Sequence, residues 1–305
     1  MTNPIVPRNG AVDKTQTWQI VQRANAEARR RFSQYARTLA SWVDSLDPAI
    51  GRITNADNYY FYQLDALLLG RIDDELERLR TEIIMSPDPR TRRHFIEQAA
   101  VMGYETGTRR AIDNMNQITD GEYSRVVEFV LTSQPYTDRL AYISSRALEE
   151  MAGLSESMKT DIRRTLTDGM AAGRSPRDIA RAMRKRVGVS ASRALRIART
   201  EVTTAHRRAI WDEDDRANAM GIQTKLLHVS ALIPDRTRRT HAQKHGHIWD
   251  DRAALEDWYS RDGNGINCLC TQVATLVRGD EVLTGKTMIK KMRDNRKKFV
   301  DTVSQ

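Results

Sequence analysis

Cysteine is almost missing: Cys268 and Cys270 are the only two in 305 residues. One residue apart, they have poor geometry for bridging each other, so no disulfide framework exists and a reducing cytoplasm is the expected place of synthesis. The chain also lacks any run of 18 apolar residues, which excludes a transmembrane helix. Met1-Thr2-Asn3-Pro4 is neither basic nor apolar, so no secretory signal is predicted. Aromatic residues are few, at 6%. Hydrophobic residues nevertheless reach 40%, enough for a core and too many for wholesale disorder. Ala, Arg, Glu and Leu dominate, which favours helix, and the length suits two ordinary domains or one large domain with an extension.

Charge of one sign is in excess. The net charge is +9, and Arg outnumbers Lys 39 to 10. Arginine's planar fork suits carboxylates, phosphates and protein interfaces. Two stretches hold the excess. Arg174–Arg208 carries eleven basic residues against Asp178 and Glu201. The second contains Lys286, Lys290, Lys291, Arg293, Arg296, Lys297 and Lys298 against Asp294 alone. Such runs fit double-stranded DNA or an acidic partner, or else are solvated helix faces.

Apolar periodicity predicts helices first. Phe32, Tyr35, Leu39, Trp42 and Leu46 form one stripe on a helix from Thr15 to Leu46, ended by Asp47-Pro48. After a turn-rich connection over 51–58, Phe61, Leu64, Leu68, Ile72, Leu76, Leu79 and Ile83 predict a second helix from Tyr59 to Ile84, antiparallel to the first. A third follows from Thr91 to Asn116, and His94 reads there as a surface or packing residue. Leu154–Met170 is a further helix, closing at Ala171-Ala172-Gly173. Ser175, Pro176 and Asp178 begin another, ending near Gly188, and Ser190 caps one more that stops at Gly221. Beyond Gly221 the pattern changes. Ile222–Val229 and Cys268–Val277 read as strands, with a short helix at Ala253–Tyr259 between them and a basic helix at Thr287–Val300. The expected fold is a mostly α N-terminal region of long antiparallel helices, then a smaller α+β module with a few short strands. The divisions are 1–152 helical, 153–278 for the module, and 279–305 as a basic helical tail.

Candidate chemistry gathers in that module. His241, His245 and His247 stand within seven residues, upstream of Cys268 and Cys270. Thiolates and imidazoles are what zinc selects, and four would close a tetrahedral structural site. His241, His245, Cys268 and Cys270 are the candidate set, with three histidines competing for two places. The plainer reading makes the cysteines small buried strand residues and the histidines part of a polar loop. Catalytic patterns fit less well. His241-x-x-x-His245 has Ala242 where a zinc protease needs Glu. Gly279–Thr287 resembles a phosphate-binding loop, but Asp280 occupies the position its first glycine requires. A metal-dependent nuclease from Asp235, His241 and His245 has no second carboxylate cluster behind it.

One helix is more specific. Leu195, Ala198, Val202, Ala205 and Ala209 make an apolar stripe with Arg199 and Glu201 on opposite flanks. Neither has an opposite charge three or four places away, so each is expected to pair outside its own helix. The Arg236, Arg238 and Arg239 cluster is the expected partner of Glu201. The alternative is two solvated charges.

The same residues carry a resemblance. Ile197-Ala198-Arg199-Thr200-Glu201, then Asp235-Arg236-Thr237-Arg238-x-x-His241, Gly246, and Asn267-Cys268-x-Cys270 resemble the phage Mu F-like family of head morphogenesis proteins. Gly173-Arg174-Ser175 with Ile179-Ala180 resembles the stretch before that helix. The likeness covers roughly Leu154–Val277. Gly265, Ile266 and Leu269 depart from the prolines and arginine usual around the cysteines. The resemblance implies a structural, non-enzymatic minor head protein of a tailed phage, made in the host cytoplasm and carried in the virion head near the portal vertex. Its implied partners are the portal protein and the major capsid or scaffolding protein, with no membrane and no small-molecule substrate. Zinc is the one cofactor the residues suggest. The alternative function is a DNA-binding or metal-dependent DNA-processing module using the His/Arg loop and the basic C-terminal helix.

Overall fold

The computed structural model of the protein describes residues 2–8, 11–46, 48–52, 58–124 and 127–303. Its elements are α1 (Trp18–Asp44), β1 (Ala49–Arg52), β2 (Asn58–Phe61), α2 (Ala66–Leu79) extended by a π-helical turn (Arg80–Ile84), α3 (Phe95–Ile118) and α4 (Val127–Thr132). There follow α5 (Gln134–Ala171), α6 (Pro176–Ala219), β3 (Thr224–Val229), α7 (Arg239–Ala242), α8 (Arg252–Ser260), β4 (Thr271–Arg278), β5 (Glu281–Val282) and α9 (Lys286–Val303). Long helices therefore precede a small antiparallel sheet, as expected. The chain divides into two compact units, one of Arg23–Glu97 and Ser145–Ala198, the other of Met1–Gln22, Gln98–Ser144 and Arg199–Gln305.

In the first unit the stripe of α1 is buried at Phe32, Tyr35 and Leu39, with Trp42 half-buried at its edge. The second helix starts later than its apolar period suggested. Asp65 caps it, its carboxylate accepting the Leu68 N–H at 2.8 Å. Tyr59–Phe61 belong instead to β2, paired antiparallel with β1 in the register Ala49↔Phe61 and Ile50↔Tyr60. Aromatic residues suit a pleated strand, and the exposure of Phe61 (60%) and Leu64 (37%) removes them from the helical face. Asp47 and residues 53–57 of the expected turn lie outside the described residues. Where the π turn ends, the backbone offers carbonyls that the buried Arg31 collects, from Ile84 at 2.9 Å and Ser86 at 2.7 Å. His94 is a packing residue, its Nε2 2.8 Å from the Ile84 carbonyl oxygen, and burial lowers its pKa to about 4.

Two further helices run longer than expected. Leu154–Met170 is the C-terminal part of α5, a helix of 38 residues that ends at Ala171 as expected but begins 20 residues earlier, at Gln134. The break expected at Gly188 and Ser190 does not occur, since α6 is continuous over 44 residues. Ala180, Met183, Val187, Ser190, Ala194, Ala198, Val202, Ala205 and Ala209 are all buried at steps of three or four residues, so the stripe never loses phase. Against that, one interior glycine costs only about 1 kcal/mol. The start of α6 is as expected: Ser175 Oγ accepts the Asp178 N–H at 3.1 Å and donates to its carboxylate at 2.7 Å. Gly221 (φ +88°), in the left-handed conformation, follows the end of α6 as expected.

In the second unit β3 pairs antiparallel with β4 from Thr224↔Leu276 to Val229↔Thr271, and β4 turns into β5 through Gly279 and Asp280. That two-residue hairpin accounts for the glycine and rules out a phosphate-binding loop there. Leu227, Val229 and Val273 meet Ile289 and Met292 of α9 in one core cluster, so α9 lies on the sheet by its apolar face. The N-terminal segment also belongs to this unit. Val6 packs on that cluster, and the Ile5 N–H donates to Asn114 Oδ1 of α3 at 2.8 Å.

Candidate functional site

The cysteines precede β4 instead of lying in it, and the short helix α7 brings a histidine to them. His241, Cys268 and Cys270 are 2%, 3% and 3% exposed. Their ligating atoms all lie within 4.8 Å of one another. Nδ1 of His241 is 3.4 Å from Cys268 Sγ and 3.5 Å from Cys270 Sγ. Among the described residues this group contains no carboxylate, so Asp235 does not join it. Nor does His245. Its Nδ1 accepts the Ser230 N–H at 3.0 Å, and burial lowers its pKa to about 4. The other rival, His247, packs edge-on against Trp249 with ring centroids 4.8 Å apart.

The loop bearing the cysteines is held by arginines. Asn267, in the left-handed conformation (φ +55°), turns the chain into Cys268. Arg199 donates to its side-chain oxygen at 2.7 Å, and its own N–H donates to Thr200 Oγ1 at 3.0 Å. The partner of Arg199 is thus an amide on another segment, not the opposite charge of an ion pair. Arg238 donates to the carbonyls of Gly263 (2.8 Å), Asn264 (3.0 Å) and Ile266 (3.1 Å), so both of its terminal nitrogens serve the loop. Glu201 is buried, at 5% exposure, while Asp235 and Arg239 are exposed. Asp235 takes a left-handed conformation (φ +58°) in the turn before α7.

Arg207 carries no motif that singles it out in the sequence. It is 1% exposed, its guanidinium lies 4.5 Å from the Tyr259 ring centre, and it donates to the Cys268 carbonyl at 3.4 Å and to Thr204 Oγ1 at 3.0 Å. By helical geometry it lies on the face of α6 opposite the Ala198–Val202–Ala205–Ala209 stripe, so apolar periodicity gives no signal for it. Burial raises the Cys268 thiol, but contacts with Cys270 and His241 and the Arg207 charge outweigh it, so its pKa falls well below the usual value. Cys270 moves the other way, first through its contact with Cys268 and then through burial.

The surroundings are aromatic, although aromatic residues make up only 6% of the chain. Trp258 packs against His241 (centroids 4.8 Å apart), Tyr259 (4.8 Å) and Trp249 (5.7 Å). Gln272 joins the layer by donating to the Tyr259 hydroxyl at 2.9 Å and accepting from Trp211 Nε1 at 2.9 Å. Three of the chain's five tryptophans, Trp211, Trp249 and Trp258, stand in this layer.

Along α9, three of the seven basic side chains bind protein. Lys286 pairs with Glu281 (2.8 Å), Arg293 donates to the Gly246 carbonyl (3.1 Å) and Arg296 to that of Gln243 (3.1 Å). Lys290, Lys291, Lys297 and Lys298 are exposed.

Residues 160–273 match the family model described as Phage Mu protein F like protein. No curated protein and no solved structure matches the chain. The matched stretch runs from within α5 into β4 and contains Arg199, Arg207, Arg238, His241, Asn267 and both cysteines. The likeness to the phage Mu protein F like family thus covers 114 of the 305 residues.

Proposed function

We propose that the protein is a structural minor head protein of a tailed phage, acting in head morphogenesis or genome delivery near the portal. The family match over 160–273 carries this reading. The site supports a structural role, because Arg199, Arg207 and Arg238 all act on backbone or amide groups of one loop instead of presenting themselves to a substrate. The partners in this reading are the portal protein and the major capsid or scaffolding protein, and the location is the virion head. Tagged protein recovered from infected cells in high salt with nuclease tests it. Copurification of a portal or capsid subunit is the expected result. Its absence, with DNA retained in a low-salt control, refutes it.

One observation favours a second reading. α9 holds the sheet by its apolar face and leaves four lysines exposed, which suits contact with packaged double-stranded DNA. Duplex binding that weakens steeply with salt would support it.

A further inference from the structure

We infer that His241, Cys268 and Cys270 form a zinc site of three protein ligands, with its fourth position open to a small solvent cavity. Distance is the first argument. Zn–S bonds of about 2.3 Å and Zn–N bonds of about 2.0–2.1 Å at a tetrahedral angle separate sulfur from nitrogen by about 3.5 Å. The two Sγ–Nδ1 separations are 3.4 and 3.5 Å. Two of the three sides of the ligand triangle thus have the length zinc requires, and the third, between the sulfurs, is no longer than 4.8 Å. Ligand chemistry is the second argument. Two thiolates and an imidazole form the soft set that selects zinc over magnesium or calcium.

Support around the ligands is the third. Asn267 and the carbonyl of Cys268 are fixed from α6, and Arg238 fixes 263–266 from beside α7. The Cys270 N–H points at Cys268 Sγ, 3.3 Å away, as thiolate ligands favour. A plain hydrophobic role for the cysteines needs none of this.

The fourth position follows from what lies beside the three. His245 is engaged by Ser230, and no further His, Cys, Asp or Glu among the described residues joins the group. A cavity of about 40 Å³, bordered by His241, both cysteines, Arg236, Thr237 and Arg238, adjoins it. That is room for a water or two. Water, or a small anion drawn by the two arginines, completes the tetrahedron.

The test uses the full chain. Purified protein is stripped with chelator, checked for retained helix by circular dichroism, and reloaded with zinc or cobalt(II). The expected result is one metal per chain and a cobalt spectrum with sulfur charge-transfer bands and intense tetrahedral visible bands. Those visible bands should shift on adding azide. His241→Ala, and Cys268→Ser with Cys270→Ser, should weaken binding at least about 100-fold, whereas His245→Ala should bind as the parent does. Failure of the folded wild-type chain to take up stoichiometric metal overturns the site, and so does metal retained by the double serine variant. Bands insensitive to azide, together with loss of binding in His245→Ala, would replace it with a closed four-ligand site. Metal uptake by the stripped wild-type chain decides the matter even where a variant fails to fold.

Discussion

The packing of α3 against α6 can be tested by adding a single methyl group. Gly103 and Gly107, four apart on α3, face α6 so closely that a Cβ at Gly103 would lie 2.6 Å from the Val202 carbonyl oxygen. One at Gly107 would come nearer still to the carbonyl oxygen of His206, and 2.8 Å from Ala209 Cβ. These obstacles are backbone, which cannot turn aside as a flexible side chain can, so the helices themselves would have to separate. Overpacking of this kind costs about 1–3 kcal/mol. Helix propensity pulls the other way, since Ala is better than Gly in a helix interior by about 1 kcal/mol. If the close approach dominates, Gly107→Ala lowers stability by about 1–2 kcal/mol, read as a lower urea midpoint at unchanged slope. Gly188, exposed on α6 with no atom within 4 Å of its would-be Cβ, is the control. Gly188→Ala should raise stability by about 0.5–1 kcal/mol. A Gly107→Ala protein as stable as the parent would refute the backbone contact. Parallel gains in both variants would mean that propensity alone governs these positions.

Other perturbations probe the rest of the structure. Asp212 accepts from the Tyr104 hydroxyl at 2.6 Å and from Arg252 at 2.8 Å in a largely buried setting, so Asp212→Ala should cost about 3 kcal/mol in urea unfolding. Arg238→Lys should not rescue Arg238→Ala, because an ammonium lacks the fork that reaches three carbonyls; hydrogen exchange over 261–267 should rise equally in both. Burial lowers His206 to about 3 and His94 to about 4, from an ordinary 6.5. Their folded pKa values lie below the unfolded one, so their stabilising effect is complete above pH 6.5 and declines as pH falls toward the folded values. Between pH 7 and pH 5, with chelator present, each should remove about 1–2 kcal/mol from the urea-derived stability. A flat profile across that window would contradict their neutral burial.

Sequence alone determined whatever depends on local period or on chemistry of residue type. The α1 stripe, the Ser175 cap, the stop at Gly221 and the His and Cys composition of the site were all legible, because each is written within a few residues. The start of α2 and the continuity of α6 were not. In one, a strand happened to share the helical period; in the other, long-range burial of a continuous stripe outweighed a glycine. The site divided in the same way. Arg199 carried its signal in having no charge partner on its own helix, but only the fold could reveal that Asn267, 68 residues on, receives it. The choice of His241 over His245 was likewise tertiary. The two residues are chemically identical and four apart, and the backbone of Ser230, delivered by β3, engages one and leaves the other facing sulfur.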